Sequence, residues 1–444
     1  MFCAFKKRKM RYYSMSSEQA SFLIRFDKNI VEQGSSMSKK KIFLCIILLS
    51  IGRVRAEIYD NRFIPLFSPP QYFVEDLSSS FEFDFIAATA SKAFANDEKE
   101  VGIPEIFGIF DLNTLAIAMM KNGEKSPLRS DLLGRPLPFV TTGRIQAQGF
   151  TARYYQRITD YITLGCNLIF MRSNSRQTFV LNTQEVKNVT PGDIIDIDQA
   201  RRESFEIIGL TKNDISQHGI SDLDVYVRFG KAWDYVAKCR KVYAGLSLGM
   251  LAPTGVKTTL NCAASIPYGG NGHWGFYARG DSLFEVQEDK KIGFVLEAIV
   301  RTPKTVTTRM PIMASEPYIY GAIIGQSRIS PAATIGFSPY FMLEHLRDGF
   351  GLGVHYTLES HGKDKWTDCR VDKSVPVDLT NAMKTSKWGA DYFTIDIFYD
   401  FGKTKTKHVI DPVLTFRWDI PSMLFVSHLI PETHKISLGV MLAY

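Results

Sequence analysis

From about residue 79 to the C-terminus, apolar side chains alternate with polar or small ones at a period of two. That is the mark of strands whose two faces meet different surroundings. Phe81, Phe83 and Phe85 share one face, with Glu82 and Asp84 on the other. At the far end, Ile436, Leu438, Val440, Leu442 and Tyr444 share a face opposite Lys435, Ser437, Gly439, Met441 and Ala443.

Between these two stretches the pattern recurs in pairs. Strands over 145–157 and 162–170 flank Thr159-Asp160, and in the second Ile162, Leu164, Cys166, Leu168 and Phe170 align. The first changes phase at Gly149: Ile145 and Ala147 precede it, and Phe150, Ala152 and Tyr154 follow, which predicts a bulge. Further pairs are predicted over 223–229 with 242–250, 274–286 with 292–300, 335–343 with 350–358, and 393–401 with 410–419. Two stretches break the pattern. Asp111 followed by Leu112, Leu115, Ala116 and Met119 predicts a short helix within a loop. The polar insert 183–218 contains a second helical stretch over 197–210.

Short turns near 158–160, 233–238, 288–290, 346–348 and 402–408 alternate with long connections at 91–140, 173–218, 253–273, 302–328, 362–387 and 421–433. Ten strands flank the five short turns, and the strands starting at Ser80 and His434 make twelve. A hairpin hidden around Gln177 to Leu181 would raise the number to fourteen. Full charges of both signs recur in mid-strand opposite the apolar faces. Two-faced strands, alternating short and long connections, and a terminal aromatic together resemble a Gram-negative outer-membrane β-barrel. The resemblance implies an all-β, closed antiparallel transmembrane barrel of about twelve strands, with short helices in long external loops. The edge of the last strand must then pair with the strand beginning at Ser80. It also implies outer-membrane lipid and the barrel-assembly machinery as partners, with Tyr444 in the C-terminal signal that machinery reads.

The N-terminus fits export. Met37 to Lys41 is a basic start, Ile42 to Leu49 an apolar run too short to span a bilayer, and Val54-Arg55-Ala56 precedes a cleavage point between Ala56 and Glu57. Residues 37–56 thus read as a signal peptide and 1–36 as an over-called extension. Pro-rich 57–78 reads as a periplasmic lead-in, and 79–444 as the barrel. Residues 1–56 hold 12 of the 53 basic residues and 3 of the 46 acidic ones, which leaves 41 against 43. Without a basic excess a nucleic-acid partner has no support. Four cysteines remain in the mature chain, Cys166, Cys239, Cys262 and Cys369, and allow three disulfide pairings.

No HExxH, Walker A or GxGxxG-helix motif occurs, and no CxxC or Cys/His cluster suggests a metal. The expected functional surface is the inward set of charges: Glu82, Asp84, Asp224, Arg228, Arg279, Asp281, Glu285, Glu297, Arg301, Asp396 and Arg417, with His355 and Glu359. These side chains either line a wet channel or pair across the lumen and fill it. His355, Glu359 and His361 on one face raise the alternative of a catalytic or metal cluster, against which no nucleophile stands beside them. Leu251-Ala252-Pro253-Thr254-Gly255 after its strand resembles a feature of transport barrels linked to uptake of aromatic compounds or fatty acids. Gly269 to Trp274 reads as a flexible loop returning through an interfacial Trp. The expectation is a passive channel for small polar or amphipathic solutes, without catalysis, cofactor or metal, with homo-oligomerisation left open. A closed barrel whose surface loops act in adhesion is the alternative.

Overall fold

The computed structural model describes residues 61–66, 79–96, 99–186, 189–236, 239–404 and 412–443. The extension 1–36, the signal peptide, its Ala56/Glu57 cleavage point, most of 57–78 and Tyr444 lie outside the described residues.

Twelve long strands follow the chain: β1 Ser79–Ala90, β2 Pro138–Thr159, β3 Ile162–Leu181, β4 Leu223–Asp234, β5 Lys241–Ala252, β6 Gly275–Gln287, β7 Lys290–Arg301, β8 Thr334–Arg347, β9 Phe350–His361, β10 Trp388–Asp400, β11 Val413–Ser422 and β12 His434–Ala443. Each pairs antiparallel with its neighbours in sequence, and the ring closes between β1 and β12 in register from Ser80–Ala443 to Thr89–His434. The last strand therefore meets the strand beginning near Ser80, as its edge requires. The five short connections lie at the end of the barrel that holds the start of β1 and the end of β12, and the six long ones lie at the other. No helix among the described residues is long and apolar enough to cross a membrane.

The outer face is apolar and exposed. Phe83, Phe85, Leu164, Phe170, Leu246, Leu248, Phe276, Ile292, Val300, Leu438 and their neighbours all point out. A continuous apolar surface around a closed sheet is what lipid demands, because every backbone group finds its partner within the ring.

Inside, the alternation changes meaning with height. Towards the short turns the inward residues are charged. Towards the long loops the inward residues of β1 to β3 are apolar, while charge persists there on other strands at Asp224, Arg301, Glu359 and Lys435. Ile86, Ala88, Ala90, Ile145, Ala147, Ile169 and Met171 join Ile64, Ile266, Tyr268 and Trp388 in one buried cluster. This corrects the bulge expected at Gly149. The β2–β3 register runs unbroken from Phe139–Leu181 to Arg157–Thr163, and the register shift falls near the turn, between Arg157 and Thr159. Ile145 and Ala147 point inward and Phe150 outward, because apolar residues are wanted on both faces at that height.

The hairpin suspected around Gln177 is the outer part of β3, which continues to Leu181. A short strand, Asp214–Ile220, lies against that extension of β3. The long connections fold into a cap. Its helix α1, Leu112–Lys121, starts at Asp111, whose side chain accepts from the Asn113 and Thr114 amides. Helix α2 spans Pro191–Ile207, earlier than the stretch expected from 197. Its start signals are Thr190 as N-cap, Pro191 at the first turn and Asp193 completing a capping box. A small sheet, Lys304–Met310, Ile323–Ser330 and Lys365–Asp368, stands where a plain loop was expected. A second buried cluster gathers Phe110, Phe139, Phe205 and Tyr320 beneath α1 and α2. Residues 61–66, assigned from sequence to a periplasmic lead-in, are buried at the loop end of the barrel. The Asn61 amide donates to Pro267 O (3.0 Å), and the Thr433 hydroxyl to Phe63 O (2.6 Å).

Candidate functional site

The inward face of a strand can carry charge only if each charge finds a partner, since an isolated buried ion is prohibitively costly. The lumen satisfies this wall by wall. On β1 and β2, Arg153 bridges Glu82 (2.7 Å) and Asp84 (2.8 Å), all three nearly inaccessible to solvent. On β10 to β12, Arg417 meets Asp396 (3.2 Å) and Lys435 meets Asp419 (2.8 Å), which also accepts from Thr394 (2.7 Å). On the opposite wall Arg228 pairs with Asp281 (2.6 Å) and Arg279 with Glu297 (2.9 Å). The Arg279 guanidinium lies 4.9 Å from the Tyr277 ring centre, and the Tyr277 hydroxyl donates to Asp224 (2.8 Å). Near the short turns Glu344 accepts from Lys291 and Lys403, and Arg240 sits 3.6 Å from Glu285. At the loop end Arg301 pairs with Asp222 (3.0 Å).

Glycines make room for this filling. Inward Gly165, Gly249, Gly293 and Gly351 stand opposite Tyr226, Tyr277, Tyr340 and Phe398 of the adjoining strand, and each aromatic ring lies over its glycine. A Cβ on Gly249 would come 2.2 Å from the Tyr277 ring. This is the cross-strand covering of glycine by an aromatic side chain that stabilises sheets.

The residues singled out from sequence thus all stand on the inner face, but in separate buried pairs rather than on one open surface. Arg228 with Asp281, Arg279 with Glu297 and Arg417 with Asp396 pair within the expected set, whereas Arg153, Arg240 and Asp222, which partner other members, and the Lys435–Asp419 pair were outside it. Arg153, Asp419 and Lys435 have the inward parity of their strands and could have been found by it. Asp222 lies between strands, where no periodicity marks it.

His355 and His361 do not converge. His355 stacks on Tyr340 (5.4 Å between centroids) with its Nε2 3.9 Å from Asp396. Glu359 is buried between them along β9. His361 lies in a relay: its Nδ1 is 2.7 Å from the Thr334 hydroxyl and its Nε2 is 2.9 Å from Asp364. The order hydroxyl, imidazole, carboxylate is that of a nucleophile and its base. However, Thr334 is 1% exposed, which makes the relay a structural link between β8, β9 and the loop after it. Among the described residues no group of three or more His, Cys, Asp or Glu side chains is placed to hold a metal. No disulfide joins Cys166, Cys239, Cys262 and Cys369.

A cavity of about 320 Å3 lies at the loop end, between the apolar filling of the barrel and the cap. Its aromatic lining includes Phe63, Phe107, Tyr318, Trp366 and Trp388, and its polar lining Asn61, Arg62, His273, Arg301, His361 and Asp364. Burial lowers the Arg62 guanidinium to about 10, against the opposing pull of Tyr318 and Asp364, and lowers the His273 imidazole. Arg309 also lines the cavity, with no ion pair to a carboxylate among the described residues. It donates to the carbonyls of Leu260 (2.7 Å), Gly321 (3.0 Å) and Ile208 (2.9 Å), tying three connections together, and burial lowers it to about 10.

A closed twelve-stranded ring, apolar outside and ion-paired inside, with short turns at one end and a folded cap at the other, is an outer-membrane β-barrel. The sequence matches no protein-family model and no curated protein. Solved structures of similar architecture include an outer-membrane channel from Pseudomonas putida F1, at 10% identity and TM-score 0.49 over 85% of this chain and 99% of that one. A Pseudomonas aeruginosa FadL homologue (8%, TM-score 0.31, 83% and 90%) and the Pseudomonas putida toluene transporter TodX (9%, TM-score 0.29, 88% and 98%) are also similar.

Proposed function

We propose that the protein is a gated channel for small polar or amphipathic solutes, set in outer-membrane lipid, and that the conformation described is its occluded one. The carrying observation is the loop-end cavity, whose lining mixes aromatic faces with hydrogen-bonding groups as a site for an amphipathic solute would. Residues 61–66 sit at the cavity and pack into the loop end of the lumen, and below it the lumen is filled by wall-borne side chains. Passage then requires 61–66 to leave and some of the paired charges to separate and rehydrate. The process uses no covalent step and no cofactor.

The test is single-channel recording in planar bilayers on the full mature chain and on a variant lacking 61–66. Brief openings in the first and long-lived conductance in the second support the reading. No current from either at any voltage overturns it. The second reading, a closed barrel displaying an adhesive cap, is favoured by one observation: the cap has a buried core of its own around Phe110 and Tyr320. It is the reading left standing if both recordings stay silent.

A further inference from the structure

Strands β2 and β3 outrun the rest of the barrel. On most of the ring the outward residues stay apolar to the loop-side end of each strand, as at Met250, Phe276 and Val300. On β2 and β3 the apolar band ends at Phe150 and Phe170, stacked on each other 5.2 Å apart. Beyond them the outer face turns polar. Arg172 stands two residues above Phe170, in register with His218 of the short strand alongside. Arg144 and Arg176 face each other directly, four residues higher. All four side chains are exposed, and so are the outward residues between them, Gln146 and Asn174. The sole carboxylate in these rows is Asp214, in register with Arg176. Arg172 makes one neutral contact, from Nε to the Ser216 hydroxyl at 3.2 Å.

At roughly 3.3 Å per residue and a tilt near 40°, Arg172 lies about 5 Å and the Arg144–Arg176 pair about 15 Å above the top of the apolar band. Lipid touches the band, so headgroups touch the arginines. Three forked guanidinium groups at two heights suit phosphate groups borne at the headgroup level, which they can hold bidentately.

We infer that the outward face of the β2–β3 extension, built on Arg144, Arg172 and Arg176, is a docking surface for the phosphate-bearing headgroup of an outer-leaflet glycolipid. Charge complementarity and unbroken continuity with the lipid-facing band identify the occupant. The inference is independent of whether the lumen conducts.

The test measures binding of fluorescent diphosphorylated lipid A to the full mature chain in neutral detergent micelles, with fully dephosphorylated lipid A as the comparison. The variant carries Arg144→Gln, Arg172→Gln and Arg176→Gln together. Lys365→Gln, an exposed cation on the cap sheet, serves as control. Heat-modified gel migration shows that each variant barrel is folded, which substitution of exposed side chains leaves intact. The expected result is affinity for the diphosphorylated lipid falling at least about tenfold in the triple variant and unchanged in the control. Binding that ignores the phosphates, or that survives in the folded triple variant, overturns the inference. Full displacement of the lipid by inorganic pyrophosphate also overturns it, because the site would then be one for free anions.

Discussion

Arg153 offers the sharpest test of the ion-paired lumen. It serves two carboxylates at once, Glu82 at 2.7 Å and Asp84 at 2.8 Å, and none of the three side chains is more than 9% exposed. At such distances each attraction is on the order of 6 kcal/mol for an effective dielectric of 20, before desolvation is subtracted. What remains measurable is the penalty of abandonment. Removing one partner of a buried pair costs about 3–5 kcal/mol, because the other charge stays buried alone. Arg153→Met keeps the unbranched apolar stem, removes the guanidinium and strands two carboxylates, so the upper end of that range is expected. Arg153→Met combined with Glu82→Gln and Asp84→Asn leaves no charge stranded and should recover most of the loss. The assay is urea unfolding of the refolded barrel in vesicles, followed by tryptophan fluorescence, on wild type, single and triple variants. A single variant within about 1 kcal/mol of wild type, or a triple variant no better than the single, would refute the reasoning.

Three further outcomes are expected. Glu316, buried in the cap where it accepts from the Ile312 amide at 2.8 Å, is raised by burial to about 7. The folded cap thus binds its proton more tightly than the unfolded chain, and the stability it confers is full below about 4.5 and lost as pH rises through about 7. This is worth on the order of 3 kcal/mol. Hydrogen exchange across 311–322, corrected for intrinsic rate, should rise between pH 5 and 8 in wild type and stay flat in Glu316→Gln. Gly249→Val drives a side chain into the Tyr277 ring and should cost about 1–3 kcal/mol by the same unfolding assay, with the Tyr277–Asp224 hydrogen bond lost. Leu438→Arg, on the outer face of β12, should cost roughly 2–4 kcal/mol in vesicles if that face meets the bilayer middle. A neutral effect there would count against the lipid face.

Much of the barrel was legible because lipid imposes one rule on every strand's outer face. Ile162 to Phe170, Val242 to Met250 and Ile436 to Leu442 read correctly for that reason. The inner face obeys no single rule. It is charged beside Arg153 and apolar beside Ile145, so the change at Gly149 looked like a bulge when it marked a boundary between two kinds of filling. The cap was hardest to read. Its small sheet joins 304–310 to 323–330 and 365–368, pairings set by packing above the ring rather than by local periodicity. Helix α2 started earlier than expected because capping chemistry, in Thr190-Pro191 and Asp193, outweighed the apolar spacing further on. The candidate site was half legible: parity placed the charges inside, but pairing depends on which strands stand side by side at a given height.

The seam between β1 and β12 has a consequence for how the molecule comes into being. It joins the first and last strands of the ring, so the wall completes itself only when the end of the chain has arrived. Until then two long edges stand unpaired, and contacts this distant in sequence form slowly. Charged side chains flank the seam on both lips. Glu82 and Asp84 on one lip carry negative charge, and Lys435 on the other carries positive. Each finds its partner on its own side of the seam, Glu82 and Asp84 in Arg153 and Lys435 in Asp419, so backbone pairing joins the two lips, and a strand shifted by one residue would turn Lys435 into lipid. The seam is then a latch with a built-in register check, and slow or misassembled closure is the expected first symptom of neutralising Lys435.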